Sequence, residues 1–237
     1  MITQRFGTTT YYRHGFRGRR VLRPVLAVVV LLAVAGVTAG FAMRSQKVYG
    51  PSGPGQTSYR IGHGRVVSSA DQTAVPIASL AKVMTAYLVL RDPDDVTVTV
   101  TDDDLADTER RAGQDESIVH VAAGETLTER QALTAILLPS ANNVAAMLAR
   151  EAAGSQDAFV ARMNDMAHSL GMRHTVYTDP SGFDPGTRST ADDQLILAQH
   201  AMRVPDFATL VALPSAELPV AGTVHNTDTL LGQDGFV

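Results

Sequence analysis

Ser79 and Lys82 stand three residues apart in the run Val75-Pro76-Ile77-Ala78-Ser79-Leu80-Ala81-Lys82-Val83-Met84-Thr85-Ala86-Tyr87-Leu88-Val89-Leu90. Read as a helix, that spacing puts a hydroxyl and an amine side by side on one face. The remaining residues are mostly Val, Met, Ala, Tyr and Leu, which leaves the lysine partly desolvated. Burial lowers a lysine pKa, and a neutral amine is a general base toward an adjacent hydroxyl. The chemistry this permits is an activated serine nucleophile. Plainer roles exist for both residues, since serine caps helix N-termini and lysine reaches out to water. A second polar element, Leu138-Pro139-Ser140-Ala141-Asn142-Asn143, has the same two sides. Pro139 breaks one helix and so puts Ser140 and Asn142 at an exposed junction where the next begins. Either residue is suited to capping that helix, and either to facing a ligand.

The elements that must hold these residues are mostly helical. Thr128 and Gln131 form a capping-box pattern ahead of Leu133, Ile136 and Leu137, and Pro139 stops that helix. Asn142 to Ala153 reads as a second helix, closed by Gly154. Ser155 caps a third, whose Phe159, Val160, Met163, Ala167 and Leu170 share a core face as far as Gly171. Thr190 and Asp193 cap a fourth, Asp192 to Met202, ending before Val204-Pro205. Strand signals are shorter. Thr57–Ile61 and Arg65–Ser68 flank Gly62-His63-Gly64 as a hairpin. Val96 to Val100 alternates strictly as a half-buried strand, with Asp102-Asp103-Asp104 expected as a solvated turn after it, and Ile118–Val121 is a further strand candidate. Short strands around a helical middle make the fold class α+β.

Composition narrows the function classes. At 45% hydrophobic the chain of 237 residues is too apolar for disorder, and without cysteine it has neither a disulfide nor a thiolate metal site. The net charge of −4 conceals an asymmetry: residues 1–44 carry seven arginines and no acid, so the remainder is strongly acidic. An acidic body with only two lysines, Lys47 and Lys82, argues against nucleic-acid binding. His14, His63, His120, His168, His174, His200 and His225 form neither His-x-His nor His-Glu-x-x-His, so no metal or other cofactor is expected. Residues 1–24 read as an Arg-rich cytoplasmic tail, and 25–43 as an uncleaved, single-pass membrane anchor. Residues 44–56 read as a Gly/Pro/Ser linker and 57–237 as an exported domain. A cleaved signal peptide, with Ala33, Ala35 and Ala39 near the cleavage site, is the other reading of the apolar run.

Ser79-Leu80-Ala81-Lys82 followed about 60 residues later by Ser140-Ala141-Asn142 resembles the motif order of penicillin-binding proteins and class A β-lactamases. The chain is most similar to the serine-type D-alanyl-D-alanine carboxypeptidases, the low-molecular-mass penicillin-binding class (peptidase family S11). Further stretches carrying that likeness are Gly124-Glu125-Thr126-Leu127-Thr128, Met163-Asn164 with Leu170-Gly171-Met172, Asp179-Pro180-Ser181-Gly182-Phe183-Asp184, and Ser189-Thr190-Ala191-Asp192-Asp193. The resemblance implies a transpeptidase-like fold, an α/β sandwich with an all-helical subdomain. It implies Ser79 as nucleophile, Lys82 as its base, Ser140 as proton relay and Asn142 as a substrate-amide ligand. The implied substrate is a peptidoglycan stem peptide ending in D-Ala-D-Ala, with β-lactams as covalent mimics and cell-wall maturation as the setting.

One element of that pattern is missing. No Lys-Thr-Gly or Lys-Ser-Gly follows Ser140, and residues 226–237 resemble the lead-in to the strand that carries it. The expectation is a C-terminally truncated catalytic domain, its sheet incomplete and its activity impaired. A membrane-tethered, peptidoglycan-binding pseudoenzyme is therefore a competing reading. A class A β-lactamase is another, although the Glu-x-x-x-Asn string it requires is absent after Asn142.

Overall fold

A computed structural model describes residues 55–60 and 64–231. The expected tail, anchor and most of the linker lie outside the described residues, as do residues 232–237. Among the described residues no helix is long and apolar enough to cross a membrane.

Strand β1 (Ser58–Tyr59) pairs antiparallel with β2 (Val67–Ser68), in the place of the expected hairpin. Strand β3 (Val75–Pro76) then leads through a 3-10 turn, Ala78–Leu80, into helix α1 (Ala81–Val89). The single helix expected over 75–90 is thus three pieces, because β3 is drawn into a ladder with β6 (Arg188–Ser189), Val75 opposite Ser189. Helix α1 is buried on nearly every side, as an apolar helix must be when neighbours surround it. Those neighbours are α3 (Glu129–Leu137), α4 (Asn142–Ala153), α5 (Gln156–Leu170) and α6 (Ala191–Ala201). Met84, Ala86 and Val89 of α1 meet Leu133, Leu148, Phe159 and Met163 in one core, each such large side chain contributing about 1.5–3 kcal/mol.

The other expected helices hold to within a residue. Thr128 and Gln131 make the expected reciprocal cap on α3, and Ser155 accepts from the Ala158 N–H to open α5. Gly154 and Gly171 close α4 and α5 in the left-handed conformation. Strand β4 is only Val98–Thr99, paired with β5 (Thr126–Leu127), but Val98 and Val100 are buried and Thr97 and Thr99 exposed as the alternation requires.

Two further expectations fail. Asp102-Asp103-Asp104 is not a solvated turn but the first turn of helix α2 (Asp102–Ala112). Thr101 accepts from the Asp104 N–H while the Asp104 side chain returns to the Thr101 N–H, and acids at a helix N-terminus suit its dipole. Residues 118–121 form no strand. The Asn143 side chain takes the place of a ladder partner, accepting from the Val119 N–H and donating to its carbonyl at 3.2 and 2.9 Å. Helix α7 (Pro205–Val211) and the hairpin β7 (Ser215–Leu218) with β8 (Gly222–His225) complete the described chain. Its strands form four separate antiparallel pairs, and residues 226–231 are irregular.

Candidate active site

Ser79 lies in the 3-10 turn one residue after Ala78, which is held at φ +48°. Neither capping alternative survives. The N-cap of α1 is Leu80 and that of α4 is Ala141, and neither helix start has a side-chain cap. Ser140 stands outside α4 at φ +64°, its half-buried hydroxyl without a hydrogen-bond partner among the described residues, and Asn142 is the first helical residue. Among the described residues only Ala78, Asp115 and Ser140 are non-glycines at positive φ. Ala78 and Asp115 immediately precede Ser79 and Glu116, and Ser140 stands two residues before Asn142. Such backbone costs about 1–3 kcal/mol and persists only where surrounding contacts enforce it.

Lys82 is 2% exposed and donates to the Ser79 Oγ at 2.9 Å and to the Ser181 carbonyl at 3.0 Å. Burial pulls its ammonium down from 10.5 to about 8. Asp179 and Glu116 oppose that fall, and Arg111 adds to it. The loop that supplies the Ser181 carbonyl is organised by the Asp179 carboxylate. It accepts from the Ser181 N–H and hydroxyl, the Phe183 N–H and the Thr187 hydroxyl. Thr85, one turn beyond Lys82, donates to the Pro180 carbonyl at 2.7 Å. Gly182, at φ +80°, lets this loop touch the nucleophile turn: a Cβ there would stand 1.8 Å from the Ala78 carbonyl oxygen.

Asn142 meets a different group. Its Nδ2 donates to the Glu116 Oε2 at 2.8 Å, and the same oxygen accepts from Arg111 at 2.8 Å. Arg111 is also bonded by its Nε to Asp107 at 2.5 Å. Asn142 Oδ1 is buried without a partner among the described residues. The structure therefore joins Ser79 to Lys82 by a hydrogen bond, while none links Ser140 or Asn142 directly to that pair. Asn142 connects to it through the field of Glu116. Sequence reasoning missed Glu116, Asp179 and Ser181 as site components. Asp179 and Ser181 lay in a stretch already noted for its likeness but given no role, and Glu116 carried no periodic signal. Among the described residues no cluster of His, Cys, Asp or Glu is suited to a metal ion.

A buried lysine against a serine hydroxyl at the mouth of a central helix is the arrangement that acyl transfer by a Ser-x-x-Lys pair requires. The chain belongs to the peptidase S11 family, whose model, described as D-alanyl-D-alanine carboxypeptidase, matches residues 61–235. It is 41% identical over 175 residues to a D-alanyl-D-alanine carboxypeptidase (DacB2) of Mycobacterium tuberculosis, covering 71% of this chain and 58% of that protein. A D-alanyl-D-alanine endopeptidase of Pseudomonas aeruginosa is 36% identical over 133 residues, covering 55% and 41%. The chain thus spans about three-fifths or less of the length of these curated relatives. In three dimensions it resembles the Streptomyces K15 DD-transpeptidase at TM-score 0.67 and 26% identity, covering 76% of each chain. A penicillin-binding protein homologue from M. tuberculosis aligns at TM-score 0.69 and 34% identity, covering 81% of this chain and 73% of that one. The mixed helix and strand content agrees with the α+β class, in a transpeptidase-like fold.

Proposed function

We propose that this chain acts as a serine-type D-Ala-D-Ala carboxypeptidase, trimming the terminal D-alanine from peptidoglycan stem peptides. The observation that carries the reading is the buried Lys82 amine, poised near pKa 8 against the Ser79 Oγ. Ser79 Oγ attacks the carbonyl between the two D-alanines as its proton passes to Lys82 Nζ. The Ser79 N–H is one donor to the oxyanion, which forms where the carbonyl oxygen stood. The C–N bond then breaks, with Ser140 relaying a proton to the departing D-alanine amine and Asn142 bonding the peptide amide. Water hydrolyses the resulting Ser79 ester, freeing the shortened peptide and returning the proton to Ser79. β-Lactams enter the same path as acylating mimics. In this reading residues 25–43 tether the domain to the outer face of a bacterial cell membrane.

Fluorescent penicillin should label the protein at Ser79, and Ser79→Ala should abolish the label. Equal labelling of the alanine variant would overturn the assignment. Because relatives from three organisms carry the name D-alanyl-D-alanine endopeptidase, cross-linked muropeptides belong beside the pentapeptide in the activity assay. Release of D-alanine from the pentapeptide alone supports the carboxypeptidase reading. Cleavage of the cross-link alone would replace it. Membrane attachment is tested by alkaline carbonate extraction, which should leave the protein in the pellet.

A further inference from the structure

Lys82 is a base only while its lone pair faces the Ser79 hydroxyl, and an amine on a flexible stem turns freely unless something claims its N–H groups. The Ser181 carbonyl does so at 3.0 Å. A carbonyl oxygen accepts and never donates, so it holds an N–H of the amine and keeps the lone pair from turning towards it. Residues 180–186 belong to no helix or strand that could fix that oxygen. The Asp179 carboxylate fixes it instead. Its Oδ2 accepts from the Ser181 N–H at 3.2 Å and the Phe183 N–H at 3.0 Å, gripping the chain on both sides of the peptide unit that carries the carbonyl, and from the Ser181 hydroxyl at 2.6 Å. Its Oδ1 accepts from the Thr187 hydroxyl at 2.7 Å. The Thr187 carbonyl in turn accepts from the Ile77 N–H at 3.2 Å, which ties this grip to the chain entering the nucleophile turn. Ser181 and Thr187 are both buried, so a bond lost there is not replaced by water.

We propose that Asp179 is a positioning residue for the acylation step: it holds the Ser181 carbonyl against Lys82 Nζ, so that one N–H is occupied there and the lone pair is left to the Ser79 hydroxyl. This rests on the acyl-transfer reading of Ser79. Asp179 is hydrogen-bonded to neither Ser79 nor Lys82 among the described residues and orients the amine through that carbonyl. Without the carboxylate the 180–183 segment relaxes, the amine turns, and its lone pair meets the serine hydroxyl less often.

The test measures acylation of the full chain by fluorescent penicillin. The Asp179 charge also supports the Lys82 ammonium, so rates are compared at their limiting values on the alkaline side of each pH profile, where the lysine is neutral and protonation drops out. Asp179→Ala should lower the limiting rate roughly 10- to 30-fold, the scale of one lost hydrogen bond. Asp179→Asn keeps an acceptor oxygen in the place of Oδ2 and can donate to the Thr187 hydroxyl, and should recover the rate to within about threefold. In a Lys82→Met background Asp179→Ala should have no further effect, because the carbonyl then has no amine to orient. Thr187→Val removes only the Oδ1 anchor and should show the same pattern at about fivefold; it takes the place of Asp179→Ala if urea curves show that variant unfolded. A limiting rate equal to the wild type's in the variant used, an asparagine variant as slow as the alanine one, or a full additional loss in the Lys82→Met background would overturn the proposal. Failure of the wild type itself to label at Ser79 would instead remove the acyl-transfer reading, and this inference with it.

Discussion

Two cations are carried into this protein's interior and have their pKa values pushed in opposite directions. Lys82 of α1 is met by a serine hydroxyl and a backbone carbonyl, both neutral, so burial dominates and its pKa falls to about 8. Arg111 of α2 is desolvated too, but the carboxylates of Asp107 and Glu116 overcome that and push its pKa up. Arg111 lies less deep, its side chain 11% exposed against 2% for Lys82, but it is the partners that reverse the direction of the shift. A buried cation given counter-charges becomes a fixed structural post; one given only dipoles stays close to losing its proton. Asp179 and Glu116 act on Lys82 from beyond contact, which keeps its fall moderate.

The largest expected effect comes from deleting the poised cation. Lys82→Met should lower acylation of Ser79 by fluorescent penicillin about 10³-fold or more, as for loss of a general base. A loss below tenfold would mean that Lys82 is not the base. Gly182→Ala tests whether the loop is what seals Lys82 from water. The added methyl meets the Ala78 carbonyl at a backbone angle that alanine disfavours, so urea unfolding should show a loss of about 3–5 kcal/mol. An unchanged unfolding midpoint would show that the loop does not rest on the nucleophile turn. On the structural side, Arg111→Met leaves the Glu116 carboxylate buried without its cation. About 3 kcal/mol of stability should go with it, and a neutral result in the same unfolding experiment would erase the contrast with Lys82.

The pH dependence follows with a definite sign. Only neutral Lys82 accepts the serine proton, so acylation should rise about tenfold per pH unit and level off near pH 8, well below the 10.5 of an unburied lysine. For stability, the unfolded chain holds a proton between about pH 8 and 10.5 that the folded one has released. Stability therefore rises with pH across that window, by roughly 3 kcal/mol, while below pH 8 the cost of burying the charged form is present in full. Lys82→Met should lack that rise, and an identical profile for the two proteins would refute it. The smallest effect belongs to Arg150, which pairs with Asp104 and Glu151 but remains 31% exposed. Arg150→Ala should cost about 1 kcal/mol or less, measured by the same unfolding curves.

Much of the helical framework was legible because its signals act within a single turn. Thr128 and Gln131 cap each other across three residues, Ser155 caps its own helix, and Gly154 and Gly171 close helices by their own backbone. The misreading at Asp102–Asp104 came from weighing charge before the Thr101 cap, although both were local. The site divides along the same line. Ser79 and Lys82 announced themselves by a spacing of three, whereas Glu116 reaches Asn142 across 26 residues and the Ser181 carbonyl reaches Lys82 across 99.

By itself, then, the sequence determined where most helices begin and end, which serine and lysine share a face, and which family motifs stand in order. Tertiary structure decided that 75–90 breaks into strand, turn and helix, because the partner of Val75 is Ser189 and no local pattern names it. It also decided that Lys82 gives up its proton near pH 8 rather than 10.5, that Ser140 and Asn142 are not caps, and which end of the Asn142 amide is left without a partner among the described residues. Each of these depends on desolvation or on a partner far along the chain. Such energies exist only once distant segments have closed around one another and removed the water between them.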